Sequence, residues 1–282
     1  MNEYRAGGHD WLAIWRDMFD AERAQGDAAT PPDWVVGDDF WQTHAARLDA
    51  QARAAQMPDP FAEWLLPRLR PDDTVLDVGA GSGRYVPVLA AAVGTVLALE
   101  PSAAMQHFLR TRIAEVDRAN VQVVADGWPA AQPISADVVI SAHVVYAVRD
   151  VGPFLLAMDA AATRLCCLAL YVEHPSLFVT PFWELEHGVL RLPLPAALEC
   201  FAAATQLGLP AQFALLPAAD TGGYADEDSA LEDIRFRLRV TPDAARDTRL
   251  RTQLRAVARQ VEGRLIVRPR APVAVIWWER GA

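Results

Sequence analysis

The 282-residue sequence predicts a doubly wound α/β domain, a mostly parallel sheet with helices on both faces, preceded by a helical extension. Three observations predict it. From Thr74 onward, short β-branched runs alternate with alanine-rich helical ones. The first strand-like run ends in a glycine-rich turn, Asp77-Val78-Gly79-Ala80-Gly81-Ser82-Gly83. Residues before Pro71 carry only helical periodicity, interrupted by prolines.

The extension, residues 1–70, divides into helices over Asp10 to Ala24, with Trp11, Trp15, Met18 and Phe19 at helical spacing, Asp39 to Gln56 after Pro31-Pro32, and Phe61 to Leu69 after Met57-Pro58. Residues 71–282 then run TVLDV (strand), YVPVLAAAV (helix), TVLALE (strand), SAAMQHFLRTRIAEV (helix), VQVVAD (strand), a loop, DVVISA (strand), VGPFLLAMDAAAT (helix) and RLCCLALYV (strand). A helix over Pro195 to Leu207, the run FALLPA, a long arginine-rich helical segment and VAVIWWE close the chain.

Composition excludes several classes. With 52% apolar and 22% charged residues, the chain has ample material for a core. No run approaches the ~20 apolar residues of a spanning helix, and the start MNEYRAGGHDW lacks a signal-peptide pattern, so the expected location is the cytoplasm. Cys166 and Cys167 are adjacent, which leaves no disulfide framework or zinc knuckle, and no HExxH or GxSxG motif is present. A net charge of −10 opposes polyanionic partners, which makes nucleic acid an unfavoured partner. Arg235 to Arg270 is the exception, with 11 arginines against Asp243, Asp247 and Glu262; it reads as a solvated helix face or as a surface for an anionic partner.

The glycine turn carries the most chemistry. Glycines at the carboxyl edge of a parallel strand let the backbone turn tightly and approach a ligand. A dinucleotide GxGxxG would need glycine where Arg84 or Val86 stands, which disfavours a nicotinamide oxidoreductase, and a lysine-free chain has no phosphate-cradling GK[ST]. What remains is an acid, Asp77, two residues before the turn. Glu100 closes the second strand, 21 residues after Gly79, where a carboxylate accepts ribose hydroxyls, and Asp126 closes the third, placed to meet an exocyclic amine.

Through VLDVGAGSGRY, LALEPSAAM, VVADGW and DVVISAHVVYAV, covering about Asp72 to Val172, the chain resembles class I S-adenosylmethionine-dependent methyltransferases. The resemblance implies a Rossmann-like seven-stranded sheet with a reversed last strand and S-adenosyl-L-methionine as cofactor. It places Asp77, Gly79, Ala80 and Gly81 around the methionine portion, and Glu100 with Pro101 at the ribose. Asp126 and Gly127 would flank the adenine, Met105 and Trp128 would pack on it or simply on the core, and Ser141 to His143 would line the methyl-donor side. Ser141-Ala142-His143-Val144 stands where amide and base methylators of the family carry an Asn/Asp-Pro-Pro-aromatic run, and Tyr146 to Asp150 resembles a small-molecule subgroup. The expected acceptor is therefore a small apolar or aromatic molecule, with an inactive binding module or an RNA or protein methyltransferase as alternatives.

Candidate general bases are His143, Glu173, His174, Glu184, Glu186 and His187, of which His143 is preferred. Phe178, Phe182 and Trp183 lie where the fold inserts acceptor-binding pieces. Trp11, Trp15, Trp34, Trp41 and Trp64 suit either helices docked on the sheet or a lid over the acceptor.

Overall fold

The computed structural model describes residues 8–32, 34, 40–54, 57–218, 223–261, 263–268 and 271–280, with side chains omitted at 40–43. The ends Asp39 and Gln56 of the second expected helix, the Trp41 side chain, Glu262 and Arg270 lie outside the described residues.

In chain order the elements are α1 (Trp11–Ala29), α2 (Phe40–Ala54), α3 (Pro60–Leu65), β1 (Thr74–Val78), α4 (Val86–Ala92), β2 (Thr95–Leu99), α5 (Ala103–Val116), β3 (Val121–Val124), β4 (Ala136–Ala142), α6 (Val151–Ala161) and β5 (Ala162–Tyr171). There follow α7 (Thr180–His187), α8 (Ala197–Gln206), β6 (Gln212–Leu216), α9 (Glu227–Leu238), α10 (Ala244–Val257), β7 (Arg259–Val261), β8 (Arg264–Ile266) and β9 (Val273–Glu279). Several helices start at a side-chain cap: Asp10 accepts from the Ala13 N–H, Asp59 from Ala62, Ser102 from Met105 and Asp243 from Arg246.

The main sheet has seven strands in the order β3-β2-β1-β4-β5-β9-β6. Strands β3 to β5 pair in parallel, and β9 runs antiparallel to both β5 and β6, pairing Tyr171 with Val273 and Leu165 with Glu279. The expected doubly wound, Rossmann-like sheet with a reversed last strand is thus present.

Side chains alternate across the strands, so each strand feeds two cores. Leu76, Val139, Cys166 and Ile276 face one core, under α1, α6 and α8; Val75, Val138, Cys167 and Val275 face the other, under α3 and α4. The neighbouring thiols therefore point to opposite faces, and burial pushes both well above the usual range. A separate cluster joins Phe182 and Trp183 of α7 to Leu231 and Ile234 of α9 and Leu250 and Leu254 of α10. Among the described residues no helix is long and apolar enough to cross a membrane.

Local chemistry moves some boundaries. The third helix stops at Leu65 and continues as a 3-10 turn over Leu66–Arg68, because Pro67 has no N–H for the α-helical bond. The arginine-rich stretch is two helices: Arg239 takes a left-handed conformation at φ 57°, and Pro242 follows before α10 begins. The short β7–β8 ribbon was not legible in the sequence.

Candidate active site

Strand order reverses between β1 and β4, the point where open α/β sheets bind ligands beyond their carboxyl ends. A cavity of about 550 Å³ lies there. Its floor is the end of β1 and the turn after it, residues 77–82; Glu100, Pro101 and Met105 form one wall, and His143, Val144 and Tyr146 after β4 form another. Leu48, Gln51 and Ala52 of α2 cover it.

The turn is shaped by its own backbone. Gly79, Gly81 and Gly83 all have positive φ, at 76°, 58° and 83°. The Gly79 and Ala80 N–H groups both donate to the Leu99 carbonyl, each at 2.9 Å, which fastens the turn to the end of β2. A Cβ on Gly79 would stand 2.6 Å from Val144 Cγ2, and one on Gly83 2.8 Å from Leu109 Cδ1. A Cβ on Gly81 would meet nothing within 4 Å. Two of the glycines thus permit close packing, and the middle one keeps the cavity open.

Glu100 is more than a strand-end carboxylate. It is buried, and its oxygens accept from the Gly81 N–H at 2.9 Å and the Ser102 N–H at 2.8 Å. It therefore ties the glycine turn to the start of α5 while lining the cavity. Glu100→Ala is expected to weaken nucleoside binding by about 1–3 kcal/mol through loss of a charged acceptor. It is also expected to lower the melting temperature, because the half-buried Gly81 N–H and the buried Ser102 N–H lose their partner. Calorimetry with S-adenosylhomocysteine and a thermal melt check the two halves; unchanged values in both would remove Glu100 from the site.

Asp77 is buried at the cavity floor, and its Oδ2 has no hydrogen-bond partner among the described residues. Burial first, and the Glu100 charge second, push its carboxyl up to about 7. Such a group favours a cationic ligand, whose binding returns it to the ionised form. The sign follows: below about pH 7 the proton must leave before a cation can pair, so affinity rises with pH up to that value and then levels, by at most about one decade per unit. In the ligand-free protein the raised value acts in the opposite sense, and stability falls as pH rises from about 4 toward 7. Titrating S-adenosylhomocysteine between about pH 5.5 and 8 checks the first statement. Affinity independent of pH in the wild type would contradict it, and Asp77→Asn is expected to flatten the profile.

His143 follows β4 with φ 61°, an uncommon conformation for a side-chain-bearing residue, and donates its N–H to the Ala169 carbonyl at 2.8 Å. Its ring stacks on Tyr171 at 4.4 Å and lies parallel to Tyr146 at 6.3 Å. The Tyr146 hydroxyl accepts from the Tyr171 N–H. The fourth and fifth strands thus deliver an aromatic stack to the cavity.

Nine of the residues singled out by sequence line the cavity: Asp77, Gly79, Ala80, Gly81, Glu100, Pro101, Met105, Trp128 and His143. Asp126, Gly127 and Ser141 do not. The Asp126 carboxylate turns back on its own loop, accepting from the Gly127 and Ala131 N–H groups at 2.7 and 2.8 Å, and Gly127 follows that turn. Ser141 is buried and donates its hydroxyl to the Val78 carbonyl at 3.1 Å, tying β4 to β1. Trp128 has both roles weighed for it, lining the cavity while its Nε1 donates to the Phe154 carbonyl at 3.1 Å.

The other candidate bases are held in structural contacts or exposed to solvent. His187 is bonded to the Leu238 carbonyl at 3.0 Å, Glu186 pairs with Arg246 and Arg249, and Glu184 is exposed. His174 caps a 3-10 turn through the Ser176 N–H; burial, then Arg191 and Arg237, hold it down at about 3, so it is neutral. Phe182 and Trp183 are core residues. Four of the extension's tryptophans are docked: Trp15 is fully buried, Trp11 packs on the same core, Trp34 contacts Phe236, and Trp64 contacts Trp277. The sequence suggested a helical lid from the extension without naming its residues, and it missed Tyr171 and Arg237, which come from distant parts of the chain and carry no local signal.

Comparison with known proteins bears on the domain and the fold. The family described as "Methyltransferase domain" matches residues 76–161. A protein-L-isoaspartate O-methyltransferase from Methylorubrum populi is 40% identical over 77 residues, 26% of this chain and 36% of that protein's length. Magnesium protoporphyrin IX methyltransferase from Synechocystis PCC 6803, solved with bound S-adenosylhomocysteine, superposes with a TM-score of 0.51 at 14% identity, covering 96% of this chain and 100% of that one. The YcgJ protein from Bacillus subtilis gives 0.50 at 17% identity, covering 78% and 98%. At these identities the structural likeness is one of fold. Residues 76–161 therefore match a methyltransferase domain, and the fold around them is shared with magnesium protoporphyrin IX methyltransferase.

Proposed function

We propose that this chain transfers a methyl group from S-adenosylmethionine to a small-molecule acceptor held beside His143, Tyr146 and Tyr171. The observation that carries the reading is the cavity itself: a buried Asp77 whose Oδ2 has no partner among the described residues and an open glycine floor at one end, and an aromatic stack covered by α2 at the other. The donor end fits the cofactor. Asp77 suits its cationic part and Glu100 its ribose hydroxyls, while Met105 and Trp128 offer apolar surface to the base.

When bound, the cofactor supplies a sulfonium methyl already activated for in-line displacement. The protein's part is to position and to exclude water. Holding a nucleophile within about 3 Å of the methyl supplies several kcal/mol without covalent chemistry. His143, fixed by its backbone bond and its tyrosine stack, is proposed to take the proton of an acceptor that arrives protonated. Leu48, Gln51 and Ala52 are proposed as the lid of the acceptor end, so that α2 rather than the whole extension closes the site.

A macromolecular acceptor docking on the arginine-rich segment is the reading less supported. Arg235, Arg237, Arg239, Arg246, Arg249, Arg251, Arg255 and Arg268 each lie within ion-pair distance of a carboxylate, including Asp27, Glu173 and Glu186 from elsewhere in the chain. Their charge is largely answered within the fold.

S-adenosylmethionine and S-adenosylhomocysteine are expected to bind with micromolar-class affinity, on the order of −8 kcal/mol. At about a hundredfold excess over Kd that stabilises the fold by ~2.7 kcal/mol, a clear rise in melting temperature. NAD(P)H is expected to give none. Label from methyl-labelled cofactor in a fractionated extract is expected in small molecules; label mainly in RNA or protein would defeat the acceptor proposal.

A further inference from the structure

A second cavity, of about 160 Å³, adjoins the acceptor end and shares Leu48, Gln51, Tyr171, Pro175 and Arg237 with the main one. An apolar void of about 150 Å³ holds one benzene-sized ring. Phe178, Leu177 and Val267 give this cavity apolar walls. Its polar lining has an unbalanced charge. Asp233, only 4% exposed, is shared by two guanidinium groups: Arg47 Nη1 at 2.5 Å and Arg237 Nε at 3.1 Å. Tyr224 also donates its hydroxyl to Asp233, at 2.6 Å. Both arginines keep about a third of their side-chain surface open, at 32% and 31%.

The remaining charged groups do not offset this surplus. Glu173 is paired with Arg268 at 2.8 Å, and His174 is neutral, its protonation opposed by burial and by the positive charge of Arg191 and Arg237. One carboxylate therefore faces two guanidinium groups in a half-enclosed space, and a second carboxylate would complete the set with charge-assisted bonds. Arg237 also lies over the Phe178 ring, 5.3 Å from its centroid, which places the cationic and aromatic features side by side.

We infer that the methyl acceptor is a ring-bearing carboxylate whose carboxylate group lodges in this side cavity between Arg47 and Arg237. The inference rests on the methyltransferase reading above and names the class of its acceptor. The acceptor's reactive end then extends past Tyr171 into the main cavity, and its charged end selects it from neutral molecules of equal size.

Ligand-detected NMR on the full chain saturated with S-adenosylhomocysteine tests this, using 4-hydroxybenzoate, 3-(4-hydroxyphenyl)propionate and indole-3-acetate, each beside its carboxamide. At least one carboxylate is expected to bind tenfold or more tighter than its carboxamide. Arg47→Gln and Arg237→Gln are each expected to remove that preference, and Arg47→Lys to restore part of it. Equal binding of acid and amide, binding of no acid in the set, or a preference that survives both glutamine variants would overturn the inference. S-adenosylhomocysteine binding is measured separately in each protein. Its failure in the wild type would defeat the methyltransferase reading, whereas its success without acid selectivity defeats only the carboxylate site. A variant that loses both its melting transition and cofactor binding is read through the lysine replacement.

Discussion

Gly81→Val is expected to abolish S-adenosylmethionine binding, a loss of more than a hundredfold or about 2.7 kcal/mol, in a protein that still folds. Gly81 sits at φ 58° with open cavity where a Cβ would be, and its N–H donates to Glu100. A valine there places a branched side chain in the space the ligand needs, and the left-handed backbone costs roughly 1–2 kcal/mol more. The neighbouring glycines are poorer probes. A side chain at Gly79 or Gly83 collides with Val144 or Leu109, so loss of binding there would mix packing damage with ligand exclusion. Circular dichroism reports the fold and calorimetry the affinity. Binding within a few-fold of wild type, in a folded variant, would place the ligand elsewhere.

The difference among the three glycines marks the limit of what the sequence shows. An acid, a glycine turn and a second acid 21 residues on are local features of strands and the turns after them, so the position of Asp77, Gly79, Gly81 and Glu100 at the carboxyl edge of the sheet was legible without coordinates. Asp126 shows that a short strand-end acid has two uses with the same sequence: here each oxygen accepts one N–H of its own loop, a turn role the sequence did not reveal. Strand register turned Ser141 toward the Val78 carbonyl, while His143, two residues on, left the strand in a left-handed conformation, and neither orientation was readable from the sequence. Leu48 and Arg237 were illegible, since helix periodicity says which faces are apolar and nothing about which distant cavity they close. The charge of the arginine-rich segment was visible, but Asp27, Glu173 and Glu186, which pair with it, lie far away in sequence.

The division of the chain at residue 70 invites a lid over the whole extension, and Trp15 decides how far that picture extends. Its side chain is fully buried in the same core as Leu76, Val139 and Leu155, and its Nε1 donates to the Val148 carbonyl at 2.8 Å. Helix α1 is further tied down through Asp20 to Arg149 and Glu22 to Arg191. The Asp20–Arg149 pair is exposed and contributes little, and although Glu22–Arg191 is largely enclosed, the buried tryptophan is the larger apolar contribution. Trp15→Ala is expected to cost about 3–5 kcal/mol from the lost packing. Domains have about 5–15 kcal/mol in all, so the loss is a large fraction of the total. At roughly 2–4 °C per kcal/mol for a chain of this size class, the melting temperature should fall by ~10 °C. Leu48 on α2 lines both cavities, and Leu48→Ala is expected to raise the acceptor KM with a much smaller thermal effect. The two variants separate the roles of the two helices. A Trp15→Ala protein that melts within about 2 °C of wild type but no longer turns over acceptor would make α1 a lid, and would return the boundary at residue 70 to the functional division the sequence suggested.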